Sequence, residues 1–389
     1  MHSDSIVNAM FLIFTGAAIL STLVLFTRQS LLVAYLILGM IIGPWGLKFI
    51  ADATVIKQIG DVGIIFLLFL LGLNLHPQNL LHMLKKVVVL TILSSLFFAV
   101  IGFLVCRAFG YGIEGSSVVG VAMMFSSTII GLKLLPTTIL HHQHTGEVMI
   151  SVLLMQDLIA IIAILTVHGM GSGHLSFWTL VKIISALPVL LAFAFAFERY
   201  VLVKLLAKFD RTQEYIFILS VGWCLGIAEL GTYIGLSDEI GAFIAGVALA
   251  ASPISLYIAE SLKPLRDFFL VLFFFAMGAA FNFTYLPQVI YPALILAALM
   301  LLIKPITFYL LLLRAGEEKL VAREVGVRLG QGSEFSLLIA AMAMQLALID
   351  NTASYLVLTT TLITFIVSSY IVVLRYPTPI ALSDRMRRD

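Results

Sequence analysis

Apolar residues in this chain run in long, nearly unbroken blocks. They do not form the narrow stripes of a water-soluble amphipathic helix or the alternation of a half-buried strand. Blocks of roughly 18 apolar residues or more, enough to cross a bilayer as helix, recur over the whole length. We place thirteen spans, near 6–26, 31–48, 58–75, 86–109, 115–139, 146–168, 176–200, 213–231, 237–251, 264–284, 287–313, 322–349 and 352–374. Most joints are short and polar or carry Gly or Pro, as in Arg28-Gln29-Ser30 and Leu75-His76-Pro77-Gln78. No joint is long enough for a soluble insertion, so the pattern predicts one all-α polytopic membrane domain over 1–389. Ile6–Phe26 is long enough for a true span, and the segment before it lacks the basic start of a cleavable signal.

Two spans break the pattern. Span 5 contains Phe125-Ser126-Ser127-Thr128-Ile129-Ile130-Gly131, three hydroxyl residues beside β-branched ones and a Gly, which is poor helix material. Span 12 contains Gly330-Gln331-Gly332-Ser333-Glu334-Phe335, with each Gly weakening a helix by about 1 kcal/mol. Thirteen spans divide into two inverted six-helix halves, spans 1–6 and 8–13, with span 7 as linker. Spans 5 and 12 are then equivalent positions. Paired interrupted helices in inverted repeats point to the binding site of a secondary transporter, because unwound backbone is tolerated at that depth only around a cavity or inside protein.

Composition agrees. The chain is 61% hydrophobic and 11% charged, where a soluble domain is about 25% charged. The net charge of +2 carries no basic arm, and no nucleic-acid partner is expected. Cys106 and Cys224 lie in separate apolar segments and read as small core residues. On the thirteen-span scheme, eighteen Lys and Arg fall on the side of the C-terminus. Only Lys48, Lys57, Arg107 and Lys182 fall on the other side, and Lys304 lies within a span. The positive-inside rule then puts the N-terminus outside and the C-terminus in the cytoplasm of a cell (inner) membrane.

Asp157 is the only charge in Val148–Val167. A mid-span carboxylate costs roughly 2.5–3.5 kcal/mol on insertion scales, so its presence marks an ion or proton carrier more often than a structural acid. Gln156 either coordinates a cation through its amide oxygen or braces a neighbouring helix. Lys304, deep in span 11, reads as buried more than as snorkelled to an interface, and then needs an anion or loses its proton; Asp157 and the ends of the broken helices are the natural partners. Ser126, Ser127 and Thr128 offer hydroxyl and freed carbonyl oxygens, a donor set for a hard monovalent cation and not for a transition metal; the competing reading is close helix packing. Gly330, Gln331, Gly332, Ser333 and Glu334 support the second interruption, with Glu334 compensating freed amides and helix dipoles. His141, His142 and His144 read as solvated loop residues, and Asp61, Glu229, Asp238 and Glu239 as outer-end groups facing water. No nucleotide-binding fingerprint is present, so ion gradients are the expected energy source and no cofactor is expected.

These motifs resemble the membrane domain of Kef-type potassium:proton antiporters, within the monovalent cation:proton antiporter superfamily. The resemblance rests on Leu38-Gly39-Met40-Ile41-Ile42-Gly43-Pro44-Trp45-Gly46-Leu47, Phe69-Leu70-Leu71-Gly72-Leu73-Asn74-Leu75, Phe125-Ser126-Ser127-Thr128, Gln156-Asp157, Gly241-Ala242-Phe243-Ile244-Ala245-Gly246 and Gly330-Gln331-Gly332-Ser333-Glu334-Phe335, in family order. It implies a homodimer, spans 5 and 12 crossing at the site, Asp157 as transport carboxylate with Lys304 nearby, and K+ over Na+ because Gln precedes the Asp. It also implies a dimerisation scaffold, 1–80 and 210–285, and a mobile core, 83–170 and 286–376, joined by a linker helix, 171–209. Kef-type chains often continue into a cytoplasmic regulatory domain. This one ends at Arg385-Met386-Arg387-Arg388-Asp389, as a truncated or naturally short member, so glutathione or nucleotide regulation is not carried over.

The resulting expectation is a secondary antiporter and not an enzyme. It exchanges K+ for H+ by alternating access, with both competing for Asp157. A Na+/H+ antiporter of the same fold and a gated K+ efflux channel are the alternatives. The expected partners are the lipid bilayer and a second copy, with any regulatory domain separate or cut away.

Overall fold

The computed structural model describes residues 6–27, 29, 31–50, 54–74, 77–133, 144–171, 177–209, 212–236, 238–250, 252 and 254–378. The α-helices among them are α1 Ile6–Phe26, α2 Leu31–Ile42, α3 Thr54–Asn74, α4 Pro77–Ala108, α5 Ile113–Ala122, α6 Thr128–Lys133, α7 His144–Gly171, α8 Phe177–Phe197, α9 Val203–Lys208, α10 Gln213–Tyr233, α11 Asp238–Ala250, α12 Ser255–Ala279, α13 Leu286–Arg314, α14 Lys319–Arg328, α15 Glu334–Gln345 and α16 Asn351–Arg375. A π-helical turn, Glu198–Leu202, joins α8 to α9, and a 3-10 turn, Phe283–Tyr285, leads into α13.

Six segments among the described residues are long and apolar enough to cross a membrane singly: Ile6–Phe26, Val87–Ala108, His144–Ile164, Gln213–Tyr233, Phe283–Arg314 and Asn351–Arg375. Their outer surfaces are apolar. On α4 alone, Val89, Ile92, Leu93, Leu96, Phe97 and Leu104 are exposed, while Thr91, Ser94 and Ser95 are buried. In water that arrangement would cost free energy at every exposed side chain; hydrocarbon removes the cost. This is a multi-pass membrane protein.

Several expected spans have different ends in the structure. Span 2 stops as helix at Ile42, and turns follow through Leu47. Pro44 disfavours a helical residue before it, which sets the stop. The helix of span 10 starts at Ser255, earlier than its apolar stretch, and contains Pro264.

The chain forms two compact units. The first comprises Met1–Phe14, Leu38–Leu81 and Ser172–Ala280. Its helices meet backbone to backbone at glycines. A Cβ on Gly246 of α11 would lie 2.1 Å from the Phe69 carbonyl oxygen of α3, and one on Gly39 would lie 2.1 Å from that of Phe275 on α12. Trp223 buries its ring in this unit, where Nε1 donates to the Ala245 carbonyl at 3.0 Å.

The second unit comprises Thr15–Ile37, His82–Gly171 and Phe281–Asp389. α13 packs against α14 and α16, and α15 packs against α5, α7 and α16. α16 is the most interior of the six membrane-length segments, with 67% of its apolar window buried against 17% for α1. α13 ends in a Schellman turn: Gly316 takes φ 89°, its amide donates to Leu313, and that of Glu317 donates to Leu312. The positive φ suits Gly and reverses the chain into α14. Asp350 caps α16 by accepting from the Ala353 amide at 3.0 Å.

Candidate functional site

Within predicted spans 5 and 12, in the second unit, helix is interrupted at residues 123–127 between α5 and α6 and at residues 329–333 between α14 and α15. Each restart is capped by a serine. Ser127 Oγ accepts from the Ile130 amide at 3.0 Å, and Ser333 Oγ accepts from the Phe335 amide at 3.1 Å. These caps meet the unpaired amides of a new first turn. The glycines of the second interruption admit close neighbours. A Cβ on Gly332 would stand 3.2 Å from Thr361 Cγ2 and Thr364 Oγ1, and one on Gly330 would stand 3.1 Å from Pro305 Cγ.

The two interruptions are bonded to each other. Ser126 Oγ donates to the Leu329 carbonyl at 2.8 Å, and Gln331 Nε2 donates to that of Ser127 at 3.4 Å. Ser336, in the first turn of α15, donates to the Ala122 carbonyl at the end of α5. Lys304, fully buried on α13, spans both: Nζ donates to the carbonyls of Phe125 at 2.6 Å and Gln331 at 3.1 Å, 5.4 Å from the ring centre of Phe98. Of the two partners open to Lys304 from sequence, the geometry shows the helix ends. Among the described residues it makes no ion pair with Asp157. Both carbonyls lie in the non-helical residues just past the C-terminal ends of α5 and α14, where the negative ends of those helix dipoles favour an ammonium.

Gln156, fully buried on α7, has both ends of its amide engaged. Oε1 accepts from the Ser126 amide at 3.0 Å, and Nε2 donates to the Met124 carbonyl at 3.1 Å. It stands in for the helical hydrogen bonds that residues 123–127 forgo.

Asp157 is 1% exposed. Thr128 Oγ1, in the first turn of α6, lies 3.3 Å from Oδ1 and 3.4 Å from Oδ2. Both distances are long for a hydroxyl donor. Glu334, in the first turn of α15 and 4% exposed, lies within electrostatic range of it. The charges are therefore sorted by helix end, with the cation on carbonyl ends and the carboxylates at or near amide ends. The carboxylate and hydroxyl oxygens at Asp157 form a hard donor set suited to an alkali cation, and the same carboxylate accepts a proton.

Sequence reasoning placed α16 but missed its hydroxyl face. Gly332 donates its amide to Thr364 Oγ1 at 2.9 Å, and Ser368 Oγ donates to Gln331 Oε1 at 3.1 Å. With Thr361 these residues sit at i, i+3 and i+7, one face of a helix. That hydroxyl stripe in an apolar span was the available signal. Arg328, one of the eighteen cations on the C-terminal side, was given no partner by sequence reasoning; its side chain is 1% exposed. His141 and His142 lie outside the described residues. His144 is exposed, with Nε2 2.6 Å from Glu317 and Nδ1 3.4 Å from Glu147.

Comparison with known proteins places this geometry in a family. The chain is 30% identical over 360 residues to the glutathione-regulated potassium-efflux system protein KefC of Klebsiella pneumoniae (strain 342), covering 90% of this chain and 57% of that protein. It is 29% identical over 354 residues to KefC of Salmonella heidelberg (strain SL476), with the same coverages. The chain thus spans a little over half the length of these curated relatives. Its fold is similar to that of the sodium proton antiporter MjNhaP1 from Methanocaldococcus jannaschii, with a TM-score of 0.70, 18% identity, and coverage of 94% of this chain and 95% of that one. A family profile described as sodium/hydrogen exchanger, transmembrane, matches residues 11–374, and the chain belongs to that family.

Proposed function

We propose that this protein is a secondary antiporter that exchanges K+ for H+ across the cell membrane, with proton and cation competing for Asp157. The observation that carries the proposal is the electrostatic position of Asp157. It is buried, accepts only a long hydroxyl contact among the described residues, lies within electrostatic range of the Glu334 carboxylate, and makes no ion pair among the described residues. A bare carboxylate at that depth is costly. Binding either a proton or a monovalent cation removes the charge, and exclusive binding of one or the other is the basis of exchange. Lys304 does not compete for this role, because its Nζ donates to carbonyls of the two interruptions. The names of the KefC relatives favour potassium. The structural neighbour MjNhaP1 is a sodium proton antiporter, which keeps Na+ as the second reading.

Thirteen spans in two inverted halves, an outside N-terminus and a homodimer complete the proposed arrangement. Alternating access moves a core, 83–170 and 286–376, against a scaffold, 1–80 and 210–285. In support, every proposed site residue falls within the second compact unit. That unit also takes in 15–37, and the first takes in 172–209, so the proposed pieces and the compact units share most of their residues but not all.

The test is cation-induced proton movement in proteoliposomes over a K+, Na+ and Li+ series, for the parent chain and for Asp157→Asn. Exchange is expected in the parent and lost in the variant. Undiminished exchange in Asp157→Asn overturns the mechanism, single-channel currents in place of saturable exchange overturn antiport, and a response to Na+ alone overturns only the K+ assignment.

A further inference from the structure

Among the described residues Arg328 is one of the largest fully buried side chains, and nothing in the antiport reading uses it. It is the last residue of α14, immediately before the second interruption. Nε lies 2.9 Å and Nη2 2.8 Å from Glu324 Oε1, one turn earlier on the same helix. Nη2 also donates to the Pro377 carbonyl at 2.9 Å, and the guanidinium carbon stands 5.4 Å from the ring centre of Tyr376. Tyr376 and Pro377 belong to the segment that leaves α16, and Thr378 beyond them is fully buried.

We infer that Arg328 is a positioning residue that fastens the segment leaving the last helix to the interruption before α15, so that displacement of that segment reaches the ion site. The distances along the backbone are short. The carbonyl of Leu329, the next residue, accepts the Ser126 hydroxyl, and the carbonyl of Gln331, three residues on, accepts Lys304. A planar guanidinium binds two acceptors at once in a fixed geometry, which a lysine ammonium does not reproduce. Tyr376 covers one face of the cation, and Glu324 neutralises it. If the segment from Tyr376 onward shifts, Pro377 withdraws an acceptor from a buried charge. The guanidinium then loses one of its acceptors, and the end of α14 that carries it is no longer held to that segment through Pro377. The site thereby gains a mechanical input from Tyr376 and Pro377.

The transport arm of the test rests on the antiport reading; the exchange arm does not. Hydrogen–deuterium exchange is measured on the full chain in lipid nanodiscs, for the parent, Arg328→Gln, Arg328→Lys and Glu324→Gln. Arg328→Gln is expected to speed exchange in peptides covering 376–378 and also in those covering 329–333. Peptides of α10 should be unchanged, and Arg328→Lys should fall between parent and Gln. In proteoliposomes, the apparent KM for K+ rises about fivefold or more, the lower end of typical coupling effects, while the maximal rate stays near that of the parent. Faster exchange confined to 376–378, with an unaltered KM, overturns the inference. A parent chain that does not exchange ions overturns the antiport reading instead, and the deuterium pattern still decides the role of Arg328. If Arg328→Gln does not fold, Glu324→Gln carries the same test, because it weakens the clamp without removing the arginine.

Discussion

At the scale of single residues, the proposed site separates groups assigned to the transported ion from groups that hold the backbone. Gln156 belongs with the second. Gln156→Leu leaves the Ser126 amide and the Met124 carbonyl buried without their partner, at about 1–3 kcal/mol each. We expect a clear fall in thermal unfolding temperature in detergent, with the ratio of K+ to Na+ response unchanged in the protein that remains folded. Thr128→Val makes the opposite test. It keeps the side-chain shape and removes the hydroxyl beside Asp157, so KM for the cation rises while unfolding temperature moves little. Competition at one carboxylate also fixes a pH dependence. Protonation is favoured at lower pH, so the apparent affinity for K+ weakens as pH falls. Saturation curves at several pH values check this, and an affinity independent of pH would count against a shared site.

At the scale of elements, the interruptions are built, capped segments. Ser333→Ala removes the α15 cap and is expected to cost about 1 kcal/mol, read as a lower unfolding temperature. Glycines test how far packing depends on place. A Cβ on Gly326 of α14 would come 2.6 Å from the Pro305 carbonyl oxygen, whereas one on Gly222 of α10 meets nothing within 4 Å. Gly326→Ala should therefore destabilise strongly and Gly222→Ala hardly at all, in the same thermal assay. Both residues sit in a GxxxG pattern, which sequence alone treats alike.

At the scale of the whole molecule, the proposed topology predicts where single cysteines react. A cysteine at Gly112, in the joint after α4, should label from outside intact cells. One at Gly316, in the turn after α13, should label only once the membrane is opened. The reverse pattern would invert the proposed orientation.

The apolar blocks determined by themselves that this is a multi-pass helical membrane protein, because burying that much apolar length in water has no alternative solution. They also exposed Asp157, since a lone acid in hydrocarbon is conspicuous on cost alone. Poor helix formers marked both interruptions for the same reason. What residue type could not decide was which donor meets which acceptor. Lys304 could be read toward Asp157 or toward helix ends, and Gln156 toward an ion or a backbone, while Arg328 was assigned no contact. Each choice depends on which carbonyls a break leaves unpaired and on how distant helices pack around them. The bonds from Ser126 to Leu329, from Lys304 to Gln331 and from Arg328 to Pro377 join residues far apart in the chain, so only the tertiary structure settles them.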